Sequence, residues 1–278
     1  MESDLLVLAG AGQYPRLIVE GARAAGVKRI GVISFRGQTD RRLARMADVA
    51  ATFGVGEIAR IQRWIAAQGF PHVVLAGQIS PGALFATRFD ELSRSLLRQM
   101  KAKNAHSLFG TVAHLIEEVG VRVLPASVYM DACLPSPGVL TARAPDDRER
   151  IDIQRGLDTA LALGTVDVGQ TAVVKDGMVV AVEAFEGTNA AIRRGARYGG
   201  RGCVVVKAAR VGHDMRFDIP VIGAKTLRRL VLSRVSCLAF QAGRTILLDR
   251  EEVVRGADRH GIAIVSLETD LPAAPTRP

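Results

Sequence analysis

The sequence predicts an α/β protein with an N-terminal Rossmann-like parallel-sheet domain and a C-terminal mixed α/β domain. Up to residue 124, short apolar runs alternate with stretches of helical periodicity, which is the pattern of βαβ units. In the second half, Asp176-Gly177 joins two β-rich runs, a strong local signal for a hairpin. An irregular segment with three prolines separates the halves, at Pro135, Pro137 and Pro145.

The first half alternates predicted strands with helices. Its strands are continuous apolar runs, as expected for a parallel sheet that is covered on both faces. We predict strands at residues 5–10, 29–34, 49–53, 73–77 and 121–124. Helical patterns lie at residues 15–25, 40–47, 57–68, 92–100 and 111–118. Together these elements predict an N-terminal domain over residues 1–128.

The second half is also α/β, but the hairpin makes its sheet mixed. Strands are predicted at residues 170–175, 178–183, 203–207, 237–240 and 262–265. Helices are predicted over residues 148–163, 188–197, 224–235 and 250–260. We therefore expect a C-terminal domain over residues 148–278, joined to the first by a linker over residues 129–147.

The composition is that of an ordinary globular protein. The 278 residues are 48% hydrophobic and 23% charged, and no apolar run approaches the roughly 20 residues that span a bilayer. The acidic N-terminus does not resemble a signal peptide. Three cysteines without a CxxC pattern argue against a disulfide scaffold or a cysteine-based zinc site. We therefore expect a cytoplasmic protein.

The chain is basic, with 37 Lys and Arg against 28 Asp and Glu and a net charge of +9. A basic surface suits nucleic acid, an anionic membrane or a phosphorylated small molecule. Aromatic residues make up only 5% of the chain, which is poor for stacking on bases, so nucleic acid is the least favoured of the three.

Two loops at predicted strand ends are candidate ligand contacts. Gly12 and Gln13 follow the first strand, and Gln78 and Ser80 follow the strand at residues 73–77. Ligands of open α/β sheets bind at such loops, although tight structural turns would have the same composition. Pro15 stands where the dinucleotide fingerprint requires its third glycine, which disfavours an NAD site.

Three further segments carry candidate functional side chains. Lys103 and Asn104 follow a helical pattern and suit a diphosphate or ribose, or simply a solvated face. Glu183 and Glu186 leave the predicted hairpin just before Thr188 and Asn189, which suits a divalent cation or an anion at a helix start, or merely a helix cap. Asp214 and Asp218 flank an arginine before a proline, which suits a magnesium site or an Arg–Asp ion-pair turn.

The motifs together resemble one family. The segments AGAGQYP (9–15), EAFEGTN (183–189) and DMRFDIP (214–220) are similar to those of the UDP-2,3-diacylglucosamine pyrophosphatases of the LpxI type, from lipid A biosynthesis. The resemblance extends over the chain to about residue 267. Asn189 stands where this family leads us to expect an acid. Ala224 lies in the segment 223–225, where an acid is also expected in relatives.

The resemblance implies a magnesium-dependent hydrolase that splits UDP-2,3-diacylglucosamine into UMP and 2,3-diacylglucosamine 1-phosphate. It also implies a homodimer. Because the substrate is a two-chain lipid and the sequence has no membrane-spanning segment, we expect peripheral contact with the inner face of the inner membrane. Within that reaction we assign the metal to Asp214 and Asp218, with Glu183 and Glu186 as the second choice. Lys207 and Lys103 are the candidates for phosphate oxygens. The alternatives are a binder of nucleotide or anionic lipid without catalysis, and a nucleotide-sugar oxidoreductase.

Overall fold

The computed structural model describes residues 4–79, 90–91, 105–209, 214–216 and 219–269. These residues form two compact units. The first contains the chain up to Asp131 together with a short later segment that includes Asp214, Met215 and Arg216. The second contains the chain from Ala132 onward, apart from that segment.

The first unit is built on a parallel sheet of five strands in the order β3-β2-β1-β4-β5. The strands are β1 (Leu5–Ala9), β2 (Ile30–Phe35), β3 (Val49–Phe53), β4 (His72–Ala76) and β5 (Arg122–Leu124). The described helices are α1 (Tyr14–Ala24), α2 (Ile58–Gln68) and α3 (Ala105–Glu117). The strand order and direction agree with the Rossmann-like domain predicted from the sequence.

Local sequence explains why these elements form. All five residues of β1 are buried, as a central strand covered on both faces requires. Pro15 lies in the first turn of α1, where its missing N–H breaks no helical hydrogen bond. The core on one side of the sheet joins Ile33 and Phe70 to Ile65 of α2 and Ile116 of α3.

The second unit is built on a mixed sheet of six strands in the order β6-β13-β11-β9-β7-β8. These strands are β6 (Gly138–Val139), β7 (Thr171–Lys175), β8 (Met178–Val182), β9 (Val204–Lys207), β11 (Cys237–Gln241) and β13 (Ala263–Leu267). Two short strands, β10 (Val221–Ile222) and β12 (Ile246–Leu247), pair with each other. Its described helices are α4 (Asp147–Thr165), α5 (Thr188–Gly199), α6 (Ala224–Leu232) and α7 (Arg250–Arg259).

The predicted hairpin is confirmed as β7 and β8. Asp176 and Gly177 both have positive φ, at 49° and 81°, as the tight hairpin turn requires. The carboxylate of Asp152 on α4 accepts hydrogen bonds from both turn amides, at 3.0 Å from Asp176 N and 2.6 Å from Gly177 N. The helix therefore fixes the turn that the sequence encodes.

Three sequence-based expectations differ from the structure or lie outside it. The helix expected over residues 40–47 is only a 3₁₀ turn (Leu43–Met46), since one buried residue in a short segment does not offset the cost of nucleating an α-helix. The helix expected to reach residue 235 ends at Leu232. The helix expected over residues 92–100 lies outside the described residues.

The predicted linker, residues 129–147, contains a 3₁₀ turn (Asp131–Cys133) and β6. β6 pairs antiparallel with β13 at the edge of the second sheet. No helix within the described ranges is long and apolar enough to cross a membrane.

A partly buried ion pair stabilises the start of α4. Asp146 caps the helix and Glu149 completes a capping box, while Arg143 donates to both carboxylate oxygens of Glu149 at 2.7 and 2.9 Å. Burial alone would raise the pKa of Glu149, but the hydrogen bonds from Arg143 and the backbone of Asp146 hold it below its usual value. The charged form of Glu149 therefore stabilises the fold.

We expect Glu149→Gln to lower the free energy of unfolding at pH 7 by about 1–3 kcal/mol, since Arg143 is partly exposed and the pair is not fully desolvated. Because the pKa is lowered on folding, this difference shrinks as the pH falls below the usual carboxyl value of 4.5. Urea denaturation at several pH values measures it. Asp147→Asn, two residues earlier in the same turn and fully exposed, is the control and should change little. Equal stabilities of wild type and Glu149→Gln at pH 7 would contradict the assignment.

Candidate active site

A buried lysine lies at the end of a central strand in the second unit's sheet. Lys207 is the last residue of β9, and only 7% of its surface is exposed. It is in register with Thr171, the first residue of β7, and with Phe240 of β11. Because a buried ammonium group loses its hydration, it requires hydrogen-bond acceptors or an anion.

One hydroxyl links this ammonium group to a carboxylate. Lys207 Nζ donates to Thr188 Oγ1 at 2.8 Å, and that hydroxyl lies 2.9 Å from Glu183 Oε1, to which it donates. We call these three residues the lysine cluster. Among the described residues, Thr188 is the only hydrogen-bond partner of the ammonium and no carboxylate pairs with it directly. Thr188 thus occupies one of its three N–H donors, and no other described residue occupies the remaining two, which could bind an anion.

Glu183 contributes a carboxylate oxygen that no described residue satisfies. Its Oε2 is buried and has no hydrogen-bond partner in the described part of the chain. The backbone at this position is tightly held, since Glu183 N donates to Thr171 O at 2.8 Å. Gly169 packs against it so closely that a Cβ there would lie 2.2 Å from Glu183 O. A fixed, buried and unpartnered oxygen suits a cation or a donor on a ligand.

The cluster also lies at the beginning of a helix. Thr188 is the first residue of α5, and Gly187 is its N-cap. Backbone N–H groups in a first turn lack intrahelical partners, and together with the helix dipole they favour an anion. The structure thus combines a helix start, a buried ammonium group and an unpartnered carboxylate oxygen.

Glu186 and Asn189, which the sequence grouped with these residues, take no part in the hydrogen bonds of the lysine cluster. Glu186 is exposed and pairs with Arg194 at 2.5 Å. Hydrogen bonds from its own backbone amide and from Arg194 lower the pKa of Glu186. Asn189 is exposed. Of the two predicted carboxylates, Glu183 is therefore the one joined to Lys207.

Asp214 belongs to the first unit and is bound by an arginine. Arg216 Nη2 lies 2.7 Å from Asp214 Oδ2 and its Nε lies 3.0 Å from Oδ1, while its Nη1 donates to Glu117 at 2.8 Å. These hydrogen bonds, to Asp214 first and then to Glu117, raise the pKa of Arg216. The segment thus adopts the Arg–Asp ion-pair turn that the sequence left open as an alternative to a magnesium site.

The first unit has a second candidate site where its strand order reverses. The order β3-β2-β1-β4-β5 changes direction between β1 and β4, the point at which open α/β sheets bind ligands. The loops that leave these strands are joined, with Ala11 N donating to Gln78 O at 2.7 Å and Gln78 N to Ala11 O at 3.1 Å. Gly12 and Gln13, the N-cap of α1, follow directly. The structure therefore brings together the two loops that carry Gly12, Gln13 and Gln78.

Four of the predicted site residues cannot be placed. Ser80, Lys103, Asn104 and Asp218 lie outside the described residues. The predicted pairing of Asp214 with Asp218 at a metal is therefore not addressed by the structure.

Sequence reasoning missed several buried polar groups near strand ends. Ser34, at the end of β2, has a buried hydroxyl without a partner among the described residues, and it is in register with Ala9 of β1. In the second unit, Gln241 Nε2 and Thr245 Oγ1 are buried without partners in the same sense. Gln241 ends β11, one residue beyond the partner of Lys207. A polar residue at the end of an apolar run is the only signal in the sequence that could have indicated them.

The residues present can be compared with the ligands that magnesium requires. No three His, Cys, Asp or Glu side chains come together within the described ranges. Magnesium, however, is commonly held by one or two carboxylates and completed by water and substrate phosphates. The unpartnered Oε2 of Glu183 is an oxygen ligand of that kind, so the lysine cluster fits a magnesium ion that arrives with a phosphorylated substrate.

Comparisons with known proteins match both halves of the chain. The model of the LpxI N-terminal domain matches residues 4–133, and that of the LpxI C-terminal domain matches residues 136–265. The UDP-2,3-diacylglucosamine pyrophosphatase LpxI of Caulobacter vibrioides is 30% identical over 273 residues, covering 94% of this chain and 96% of that protein.

Solved structures are much less similar. The enzyme WbmG of Bordetella bronchiseptica, in complex with NAD, is 16% identical with a TM-score of 0.30, over 44% of this chain and 36% of that one. The biotin carboxylase domain of the Hydrogenobacter thermophilus 2-oxoglutarate carboxylase is 13% identical with a TM-score of 0.29, over 64% and 36%. Likeness at this level assigns neither a fold nor an activity.

The two domain matches follow each other in the family's order, and the relative from Caulobacter vibrioides is aligned over nearly its whole length. The chain belongs to the LpxI family.

Proposed function

We propose that this chain is a UDP-2,3-diacylglucosamine pyrophosphatase of lipid A biosynthesis. It adds water across the pyrophosphate bond and releases UMP and 2,3-diacylglucosamine 1-phosphate. The observation that carries the proposal is the lysine cluster, in which a buried ammonium group, with two donors that no described residue occupies, lies one hydroxyl away from a carboxylate. Membership of the LpxI family supports the identity of the substrate.

Lys207 has the chemistry to bind a non-bridging phosphate oxygen. Hydrolysis of a pyrophosphate places additional charge on the oxygens of the leaving phosphate, and donors already held in place stabilise that charge without reorganising. Lys207 is fixed by β9 and by Thr188, so its ammonium needs little rearrangement to act. The N-terminus of α5 adds backbone donors at the same place.

Glu183 is the proposed protein ligand of magnesium, through its buried Oε2. Bound magnesium would neutralise phosphate oxygens and lower the pKa of a coordinated water. The chain's own part is to orient the carboxylate, because Thr188 holds Oε1 and leaves Oε2 available. Asp218 is retained as a second candidate ligand on the strength of the sequence, whereas the oxygens of Asp214 are engaged by Arg216.

The uridine is proposed to bind the first unit at the point where its strand order reverses. The joined loops after β1 and β4 support this proposal. So does the hydroxyl of Ser34, which has no partner among the described residues and lies in register with Ala9 of β1. Uracil and ribose offer carbonyl, N–H and hydroxyl groups that suit such polar atoms.

We expect Gln78→Ala to weaken UMP binding by roughly 1–2 kcal/mol, the range for losing a hydrogen bond at a ligand. Isothermal titration of UMP into wild type and variant measures it. Gln68→Ala, at the C-terminal end of α2 and therefore at the opposite end of the strands, is the control for a glutamine lost elsewhere on this unit. Unchanged affinity in Gln78→Ala would remove its side chain from the proposed uridine site.

The family assignment also leads us to propose a homodimer that contacts the membrane surface peripherally. The substrate carries two acyl chains, and no described helix could span a bilayer. Basic side chains attract anionic headgroups, and the chain has a net charge of +9.

The activity is tested by following UMP release from UDP-2,3-diacylglucosamine by the purified chain, with and without a chelator. We expect release that requires magnesium and is much slower with an unacylated UDP-sugar. Absence of UMP release in magnesium would overturn the proposed function.

A further inference from the structure

The second unit has a groove lined by arginines, formed by the C-terminal parts of α5 and α6 and the turns after them. Its volume is about 380 Å³. The lining residues are Arg193, Ala196, Arg197, Gly200, Arg201, Arg229, Leu232, Ser233 and Arg234. We call it the arginine groove. No residue of the lysine cluster is among those that line it.

The charge of the groove is entirely positive. Five of the nine lining residues are arginines and none is acidic. Among the described residues, no carboxylate pairs with any of the five, although Arg194 on the same helix does pair with Glu186. Arginines concentrated without counter-ions repel one another, so an anion that enters the groove is favoured by all five.

One of these arginines, Arg229, is partly buried. Arg229 Nε is buried and has no hydrogen-bond partner in the described part of the chain. The helix dipole explains a basic residue in a last turn, as with Arg197 of α5 and Arg229 of α6. It does not explain Arg201 and Arg234, which follow the helices, or their convergence on one groove.

Apolar side chains accompany the arginines. Leu232 lines the groove and is 63% exposed, and Tyr198, next to Arg197 on α5, is 71% exposed. An exposed leucine contributes nothing to binding a free phosphate, but it is suited to the boundary between headgroups and acyl chains. Tyrosine is likewise enriched at membrane interfaces.

We propose that the arginine groove docks this chain onto an anionic phospholipid surface. Its guanidinium groups bind headgroup phosphates, because the planar fork of N–H donors in arginine matches the geometry of a phosphate. Leu232 and Tyr198 enter the interface beside them. The proposal rests on the proposed function, which supplies a substrate that resides in a membrane.

The test compares two triple variants that lose the same charge. Arg193→Gln, Arg197→Gln and Arg234→Gln remove exposed arginines of the groove and leave the partly buried Arg229 in place. Arg155→Gln, Arg250→Gln and Arg259→Gln remove three exposed arginines elsewhere on the same unit. Flotation with vesicles of phosphatidylcholine containing about 30% phosphatidylglycerol measures binding at low and high salt.

We expect the groove variant to bind these vesicles at least about tenfold more weakly than wild type, and the control variant nearly as well as wild type. Leu232→Ser should weaken vesicle binding in high salt, because salt screens the attraction of the arginines and leaves the apolar contribution of Leu232 as a larger share of the binding. Equal losses in both triple variants would reduce the effect to net charge and overturn the proposal. The proposal would also be overturned if the wild-type groove bound soluble pyrophosphate while the groove variant still floated normally. The phosphate ligand of the groove would then be a small molecule and not a lipid headgroup.

A second readout separates this proposal from the proposed function. UMP release from detergent-dispersed substrate should be the same for wild type and both triple variants, while release from vesicle-embedded substrate should fall in the groove variant. Flotation does not depend on activity, so an inactive wild type that floats through the groove contradicts only the proposed function. A wild type that hydrolyses substrate but does not float contradicts only the docking surface.

Discussion

Lys207→Met should lower kcat/KM for UDP-2,3-diacylglucosamine by about 10²–10³, the usual cost of removing one donor that stabilises developing charge. Methionine has a similar length and fills the buried position without a charge. Because Lys207 is 7% exposed and hydrogen-bonded to Thr188, its loss removes the ammonium from the cluster and leaves the strand intact. Initial rates over a range of substrate concentrations give the ratio.

Lys175→Met is the matched control for Lys207→Met. Lys175 is the last residue of β7, whereas Lys207 lies in register with the first residue of that strand. The two lysines are therefore at opposite ends of these neighbouring strands. Lys175 lies 3.6 Å from Asp176 and is partly buried. Thermal unfolding of both variants reports on folding. A folded Lys207→Met enzyme that keeps the wild-type kcat/KM would remove Lys207 from the reaction.

Glu183→Gln should reduce kcat by about 100-fold and raise the magnesium concentration required for half-maximal activity. Glutamine keeps the shape of the side chain and an oxygen that can accept from Thr188, but it removes the negative charge that a hard cation requires. The measurement is a magnesium titration of activity at saturating substrate.

Glu186→Gln is the control for Glu183→Gln, three residues away. Because Glu186 is exposed and pairs with Arg194, we expect its activity and magnesium dependence to match the wild type. If Glu186→Gln lost activity while Glu183→Gln kept it, the assignment of the two carboxylates would be reversed. If both variants were active, Asp218 would become the first candidate.

The fold could be predicted largely because its signals are local. Continuous apolar runs such as β1 identify parallel strands, and Asp176-Gly177 identifies a hairpin, without knowledge of the partner strands. The prediction of a helix over residues 40–47 was wrong because it also rested on a local signal. A short helical pattern does not show whether tertiary packing will support a helix. The strand order, which determines where the loops after β1 and β4 meet, is not a local property.

The site was predictable only in part. The sequence identified Glu183, Thr188 and Lys207 as candidates, but not that a single hydroxyl joins them, because Lys207 lies 19 residues from Thr188. It offered Glu183 and Glu186 as equivalents, and only the fold separates a held, partly buried carboxylate from an exposed one. The contact of Arg216 with Glu117 spans 99 residues and has no local signal.

Hydrolysis of the pyrophosphate bond of a diacylated UDP-sugar is best tested by identifying both products by mass spectrometry, after the purified chain has acted on UDP-2,3-diacylglucosamine in magnesium. We expect UMP and 2,3-diacylglucosamine 1-phosphate in equal amounts. UDP with free diacylglucosamine, or substrate that is bound but recovered intact, would contradict it.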